Sequence, residues 1–422
     1  MLKKILNLSA MLFTAWPFLW GQGPLADSFP VQKAQGIISV LAGDSLRGRG
    51  NMTTDLLKAG QYILRKFRET GLQPLPGMTG LFHTFQPGGG PGRRRSNELQ
   101  WNGKKVKPRH FRYLAAQPGT YSSRNLHDFT IIQIDSFSAN TLETYKDFST
   151  DLLLWTASRF NNWEELNIPA QGLAAARLLV CSPAPPGQII LKPDKAFYRS
   201  AGYNIIGILP GKTRPGEYIL FSAHYDHLGI AKAADSVMNG ANDNASGSTA
   251  LIMLAEYFAM RNDNARTLIF CAFAGEETGL NGSSALAKLL SPSSLKAVIN
   301  LEMLGLPQYG PGTVYITGEK YSSLPAILKN GFKEQGIRLV PEPSEEKMLF
   351  ARSDNYPVIL RGIPAHTIMA SDDEEPCYHK PCDEVGRMDL GNLCLITRAV
   401  AFAAGVLVSG KETPGDLYLP DW

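Results

Sequence analysis

The stretch Tyr218-Ile219-Leu220-Phe221-Ser222-Ala223-His224-Tyr225-Asp226-His227 is mostly apolar up to Ala223 and mostly polar from His224 onward. A short apolar run without alternation reads as a strand buried on both faces, because a strand with no solvent side has nothing to alternate toward. His224 then stands at the carboxyl end of that strand. Thr267-Leu268-Ile269-Phe270-Cys271-Ala272-Phe273-Ala274 repeats the pattern and ends at Gly275-Glu276-Glu277, and Ala297-Val298-Ile299-Asn300-Leu301 repeats it again and ends at Glu302. Between the first two runs the turn-rich Asn239-Gly240-Ala241-Asn242-Asp243-Asn244-Ala245-Ser246-Gly247 opens a helix in which Leu251, Leu254, Ala255 and Phe258 share one apolar face. Such an alternation predicts an α/β fold, with a mixed, mostly parallel central sheet flanked by helices. Ligands of open α/β sheets bind at the carboxyl ends of the strands.

The groups delivered there are of one kind. His224, Asp226, Asp243, Glu276, Glu277, Glu302 and, further on, His379 offer imidazole nitrogens and carboxylate oxygens without thiolates, a donor set that suits zinc or a similar first-row cation. Two ions side by side would need a shared carboxylate. Each residue alone has a plainer reading: an Asp before a helix is often a cap, a Gly-Glu-Glu is often a solvated turn, and a histidine at a strand end is often structural. Ser246 is better placed than Asp243 to cap the helix, which frees Asp243 for another task.

In chain order, the blocks FSAHYDHLG, NGANDNASGSTA, FAGEETGLNGS, INLEMLG and YHKPCDE resemble the signature blocks of the di-zinc aminopeptidases, a family that also includes glutamate carboxypeptidases and glutaminyl cyclases. LAGDSLRGRG, around Asp44 and Gly48, resembles the block these enzymes carry near their mature N-terminus. The resemblance covers roughly residues 29–85 and 197–410. It implies two zinc ions, with His224 and Glu302 completing one site, Glu277 and His379 the other, and Asp243 bridging both. It further implies that Asp226 orients a ligand imidazole, that Glu276 is the general base and no ligand, and that Tyr378 hydrogen-bonds the oxyanion. Most of these aminopeptidases carry Asp where this chain has Glu302, whose carboxylate reaches one methylene further. His227 matches no ligand position and is read as a hydrogen-bonding loop residue; His83, His110, His127 and His366 receive no assignment.

Four segments are expected: a secretory signal peptide over 1–21, the N-terminal part of the catalytic domain over 22–96, an inserted domain over 97–196, and the zinc peptidase catalytic domain over 197–422. The leader reading rests on basic Lys3-Lys4, an apolar run to Leu19 and small Gly21 and Gly23. The insert is expected to be β-rich, from runs such as Phe129-Thr130-Ile131-Ile132-Gln133-Ile134 and Asp151-Leu152-Leu153-Leu154-Trp155. Ala174-Ala175-Ala176-Arg177-Leu178-Leu179-Val180 is read as a helix closing into a strand. Relatives often carry a protease-associated insert at this place, while an elaborated excursion of the catalytic domain would look similar. With 422 residues, 44% hydrophobic, 19% charged and a net charge of +4, the chain is globular and carries no nucleic-acid signal; Arg93-Arg94-Arg95 after Gly88-Gly89-Gly90 reads as a solvated loop. Beyond the leader no stretch is expected to span a membrane.

Of five cysteines, Cys271 and Cys394 read as buried, Cys181 as free, and Cys377 and Cys382 flank His379, where a disulfide would stiffen the ligand loop but spacing alone leaves the pairing open. Asp372-Asp373-Glu374-Glu375 either presents charge at the site's rim or forms a solvated loop. The leading functional reading is an exported, periplasmic or extracellular, zinc-dependent aminopeptidase acting on peptides. The alternatives are a glutaminyl cyclase, a carboxypeptidase or dipeptidase of the same family, and a binding module without catalysis.

Overall fold

In a computed structural model of the protein, Arg266–Phe273, Arg214–His224, Leu295–Glu302 and Ala365–Met369 lie side by side and parallel. Gly202–Leu209 and Phe82–Phe85 extend the sheet antiparallel at one edge, and Thr313–Ile316 with Arg338–Leu339 completes the other, giving eight strands. This is the mixed, mostly parallel sheet read from the sequence. The structure describes residues 28–85, 97–114, 123–138, 141–145, 149–158, 160, 175–192, 202–231, 236–343, 346–415 and 417–418; the expected leader over 1–21 and the loop 88–95 lie outside them.

Both faces of the sheet are covered, which is why its strands read as unbroken apolar runs. Ile219, Phe221, Leu268, Phe270, Ala297, Ile299 and Leu301 face one core, shared with helices Val31–Leu41, Thr54–Glu69, Gly247–Arg261, Leu324–Glu334 and Leu390–Ala403. The alternate residues Leu220, Ile269, Cys271, Phe273 and Val298 face a second core beneath Asn281–Leu289. Gly247–Arg261 is wedged so deeply that Ile252 and Met253 are buried along with the four apolar residues expected. Leu390–Val408, contrary to expectation, is long and apolar enough to cross a membrane; two thirds of it is buried in the first core, which accounts for its composition.

The start of Gly247–Arg261 departs from the sequence reading. Ser246 makes no cap bond to the helix; its hydroxyl donates to the Asn242 carbonyl at 2.7 Å and accepts from the Leu304 amide at 2.9 Å. Asn244 does the capping instead, its Oδ1 accepting from Gly247 N–H at 3.0 Å and from Met303 N–H at 3.2 Å. Asp243 is left free of helix duties all the same.

The described residues between 98 and 192 contribute no strand to the large sheet. Their strands form two four-stranded sheets, one ordered Lys104–Val106, Glu98–Trp101, Ile189–Lys192, Arg124–Asn125 and the other Phe111–Leu114, Arg177–Cys181, Leu152–Thr156, Thr130–Gln133. Leu99, Trp101, Phe111, Leu153, Trp155, Val180 and Leu191 bury one another between them. The helix read before Arg177 is not seen at Ala175 and Ala176; Ala174 lies outside the described residues.

Candidate metal centre

Register brings the polar strand ends together. His224 pairs with Phe273, just ahead of Glu276 and Glu277, and Glu302 pairs with Met369, from which the chain runs on to Tyr378 and His379. Asp243 reaches the same edge from its loop. His224 Nε2 stands 3.3 Å from Asp243 Oδ1, while His379 Nε2 stands 3.1 Å from Asp243 Oδ2 and 3.3 Å from Glu277 Oε2. Asp243 thus touches one histidine with each oxygen, as a bridging carboxylate must. Asp243, Glu276, Glu277, Glu302, Tyr378 and His379 line one open cavity of about 380 Å³, which Leu280, Met303, Leu349 and Met369 make partly apolar.

Among the described residues, one group places its ligand atoms all within 4.8 Å of one another: His227, Asp243, Glu277 and His379. Three of these are sequence-assigned ligands, and His227 is not. His224 adjoins the group through Asp243, whereas Glu302 lines the cavity without joining the close cluster.

The surroundings fix these groups tightly. Asp383 accepts the backbone N–H groups of Asn242 and Asp243 at 2.8 and 3.0 Å, and Asn242 ties the loop to Ser371 and Gly305. Arg49, fully buried, donates to the carbonyls of Tyr225 at 2.8 Å, Asn239 at 2.6 Å and Gly240 at 2.9 Å. It therefore joins the segment after His224 to the loop before Asp243. Gly240 is left-handed (φ 55°), and a Cβ there would run into the His227 ring and the Asp243 carbonyl. Cys377 and Cys382 form a disulfide around His379, and Tyr378 stacks on the His379 ring at 3.8 Å.

Asp226 works differently from the sequence expectation. His224 Nδ1 is 3.2 Å from the Asp226 main-chain carbonyl but 3.7 Å from its carboxylate. The carboxylate instead accepts the backbone N–H groups of Glu276 and Glu277 at 3.3 and 3.2 Å and the Asn51 amide at 2.6 Å. These bonds tie the carboxylate to the Glu276-Glu277 turn.

The acidic run divides between the two readings: Asp373 lines the cavity and Glu374 is exposed. Asp372 and Glu375 are buried; Lys347 pairs with Asp372, Asp373 and Glu374, Arg352 with Asp373, and Arg387 with Glu375. The run clamps its own loop.

The electrostatics call for a cation. Burial, aided by Glu302 and Glu277 and opposed by His224, raises Glu276 well above the usual carboxylate range, and burial lifts Glu302 to about 7. Burial also works to raise Asp243, but the neighbouring imidazoles of His224 and His379 hold it well down. Burial opposes charge on His379 too, yet Asp243 and Glu277 lift it to about 10. Carboxylates crowded into low dielectric take up protons unless positive charge holds them ionised. The buried Nε2 of His224 has no hydrogen-bond partner among the described residues, and its 3.3 Å separation from Asp243 is the edge of a tetrahedron with metal bonds of about 2.0–2.1 Å. The donor set fits zinc.

The pattern of peptidase family M28 matches residues 204–404. Residues 204–404 thus carry a peptidase family M28 domain. It is 30% identical over 206 residues to Aminopeptidase YwaD of Bacillus subtilis, covering 45% of this chain and 41% of that one. To Leucine aminopeptidase 2 of Trichophyton rubrum it is 26% identical over 240 residues, covering 49% and 45%. The chain thus spans less than half the length of these relatives. Its fold is that of a zinc aminopeptidase from Bacillus subtilis, with a TM-score of 0.55 at 20% identity over 90% of this chain and 95% of the other.

Within the M28 span, sequence reasoning missed His227 as a member of the cluster, Asp383 as the loop's anchor and Asp354, which burial lifts to about 7 beside the same site. Arg49 lies outside the M28 match. The YHKPCDE block held a signal for Asp383, since an Asp one residue from a turn cysteine can serve backbone N–H groups. His227 and Asp354 gave no such sign.

Proposed function

We propose that this chain is an exported zinc-dependent aminopeptidase that removes N-terminal residues from peptides. The observation that carries the reading is the buried Glu276, its carboxyl raised well above the usual range by burial, on the wall of the cavity that Asp243, Glu277, Glu302 and His379 also line. Asp243, Glu277 and His379 would hold one ion, and His224 and Glu302, sharing Asp243, a second. A bound pair of such ions lowers the pKa of water, polarises the scissile carbonyl and neutralises developing negative charge. Glu276 takes the proton from the attacking water and returns it to the leaving amine, a task that suits a carboxylate with a raised pKa. Asp226 keeps Glu276 and Glu277 apart in role by holding both their amides. Tyr378, kept protonated by burial, can donate its hydroxyl proton to the carbonyl oxygen as charge builds there.

The cavity lining favours a free amine over a free carboxylate. It presents Asp243, Glu276, Glu277, Glu302 and Asp373, and among the described residues its one lysine or arginine, Arg352, is already paired with Asp373 at 2.8 Å. A carboxypeptidase needs an uncommitted cation at that point. Export is supported by the leader-like start of the chain and by the disulfide around His379, a bond that persists in oxidising compartments. In this reading the two sheets of residues 98–192 are an insert into the catalytic domain.

The test is a zinc count on purified protein together with turnover of an aminoacyl substrate, its N-acetylated form, a substrate with a C-terminal acidic residue and an N-terminal glutaminyl peptide. Zinc-dependent release from the free amine alone is expected. Equal cleavage of the acetylated form would refute the aminopeptidase reading, and cyclisation of the glutaminyl peptide without hydrolysis would replace it.

A further inference from the structure

His227 lies close enough to the cluster to be taken for a fourth ligand, and distance tells the two roles apart. Atoms that share a tetrahedral ion with bonds of about 2.0–2.1 Å lie about 3.3 Å from each other. The pairs His224–Asp243, His379–Asp243 and His379–Glu277 obey this, at 3.3, 3.1 and 3.3 Å. His227 does not: its Nδ1 is 2.7 Å from Glu277 Oε1 and 3.7 Å from Asp243 Oδ2. The shorter figure is that of a charge-assisted hydrogen bond to a carboxylate. The bond also goes to a separate oxygen, because His379 faces Oε2 of the same Glu277.

We propose that His227 is a positioning residue that donates from Nδ1 to Glu277 Oε1 and so turns Oε2 toward the metal. The inference rests on the metal site of the proposed function. Its physical basis is the cost of freedom: a glutamate side chain with one oxygen pinned has already lost the rotamers that a ligand would otherwise lose on binding. The imidazole is itself held fast. Its side chain is fully buried, its backbone N–H donates to the Arg49 carbonyl at 3.2 Å, and Gly240, which no other residue could replace without striking the ring, packs against it. A fourth protein ligand would moreover close a tetrahedral site to water, whereas a catalytic site keeps a position open.

Asparagine separates the roles, because its side-chain N–H sits at the same remove from Cβ as Nδ1 while its amide is a poor zinc ligand. Zinc affinity is measured by chelator competition for the wild type, His227→Asn and His227→Leu, with melting of the metal-free proteins as a folding control. The leucine variant is expected to lose about 10–100-fold in affinity, the usual effect of removing a residue that orients a ligand, and the asparagine variant to recover most of it. A crystal structure of the zinc-loaded wild type gives a second reading that needs no variant: Nδ1 should stay on Glu277 and outside coordination distance. Asparagine as weak as leucine, or Nδ1 about 2.0–2.1 Å from zinc, would overturn the inference while leaving the metal site intact. A wild-type chain that takes up no zinc would overturn both.

Discussion

Arg49→Met tests whether the centre is built from its backbone supports as much as from its ligands. Methionine keeps most of the length and apolar bulk and removes every donor. In the wild type the guanidinium donates to the carbonyls of Leu41, Tyr225, Asn239 and Gly240 with no exposure to solvent. Four bonds from a charged donor at about 1.5 kcal/mol each, the low end for such bonds, come to about 6 kcal/mol. Burial opposes this, pulling the guanidinium down to about 10 even with Asp383, Asp243, Asp226 and Glu277 nearby. A net loss of about 3–5 kcal/mol is the expected size for breaking a buried charged set. Unfolding entropy of about 2.1 cal/mol/K per residue over 422 residues gives about 0.9 kcal/mol/K, so melting should fall by about 3–6 °C. The metal readout is sharper because two effects have opposite signs. Deleting a cation beside carboxylates should tighten zinc binding, whereas loosening the Tyr225 and Gly240 carbonyls should weaken it by shifting His224 and Asp243. We expect weaker binding, by about tenfold, since ligand placement outweighs a charge that other cations and solvent partly screen. Melting curves of the metal-free protein and chelator competition measure the two. Tighter zinc binding, or melting unchanged within 1 °C or so, would refute the reasoning.

Three further outcomes can be checked. Glu276→Gln should retain zinc and lose about 10²–10⁴ in kcat, the usual share of a general base, and loss of zinc instead would move Glu276 into the ligand set. Glu302→Ala should release part of the zinc with the fold intact and Glu302→Asp should keep it, as metal analysis would show; full zinc in the alanine variant would remove Glu302 from the centre. His83 and His366, pushed down to about 4 by burial from an ordinary 6.5, are neutral in the fold and take protons first when unfolded. Stability is therefore complete above about pH 6.5 and lost as pH falls toward 4, by about 2 kcal/mol per histidine at pH 5. Denaturant melts from pH 7 to 4.5 on His83→Gln and His366→Gln should show a flatter slope, and an unchanged slope would mean that neither histidine governs acid stability.

How much of this was legible in the sequence follows from what each feature requires. The runs ending at His224, Glu276 and Glu302 were readable because burial on both faces of a sheet leaves unbroken apolar segments, and the switch to polar residues marks where the strand meets the cavity. Asp243 and His379, on loops, were identified by resemblance, since a turn-rich segment has many uses. Ser246 misled for a local reason. Its position suits a cap, but the chain passes through a π turn at Ala241–Ser246 and bends the hydroxyl toward the Asn242 carbonyl, and Asn244 takes the cap. The acidic run Asp372-Asp373-Glu374-Glu375 was legible only in part, because its partners Lys347, Arg352 and Arg387 lie elsewhere in the sequence and only the fold returns them.

Arg49 and His227 mark the limit of such reading. Each acts through a contact that joins segments far apart in the chain, Arg49 to Asn239 and Gly240, His227 to Glu277, and neither lies in a periodic pattern that would announce it. The ligands answer to the chemistry of an ion, so their residue types are restricted and show in the sequence. Residues that hold ligands answer only to geometry. Any donor of the right reach would serve, so the sequence can supply them from anywhere in the chain. For Glu277 the two demands meet in one side chain: its Oε2 faces His379 across the space an ion would fill, and its Oε1 is held by His227. The first contact could be inferred from residue type. The second required the fold.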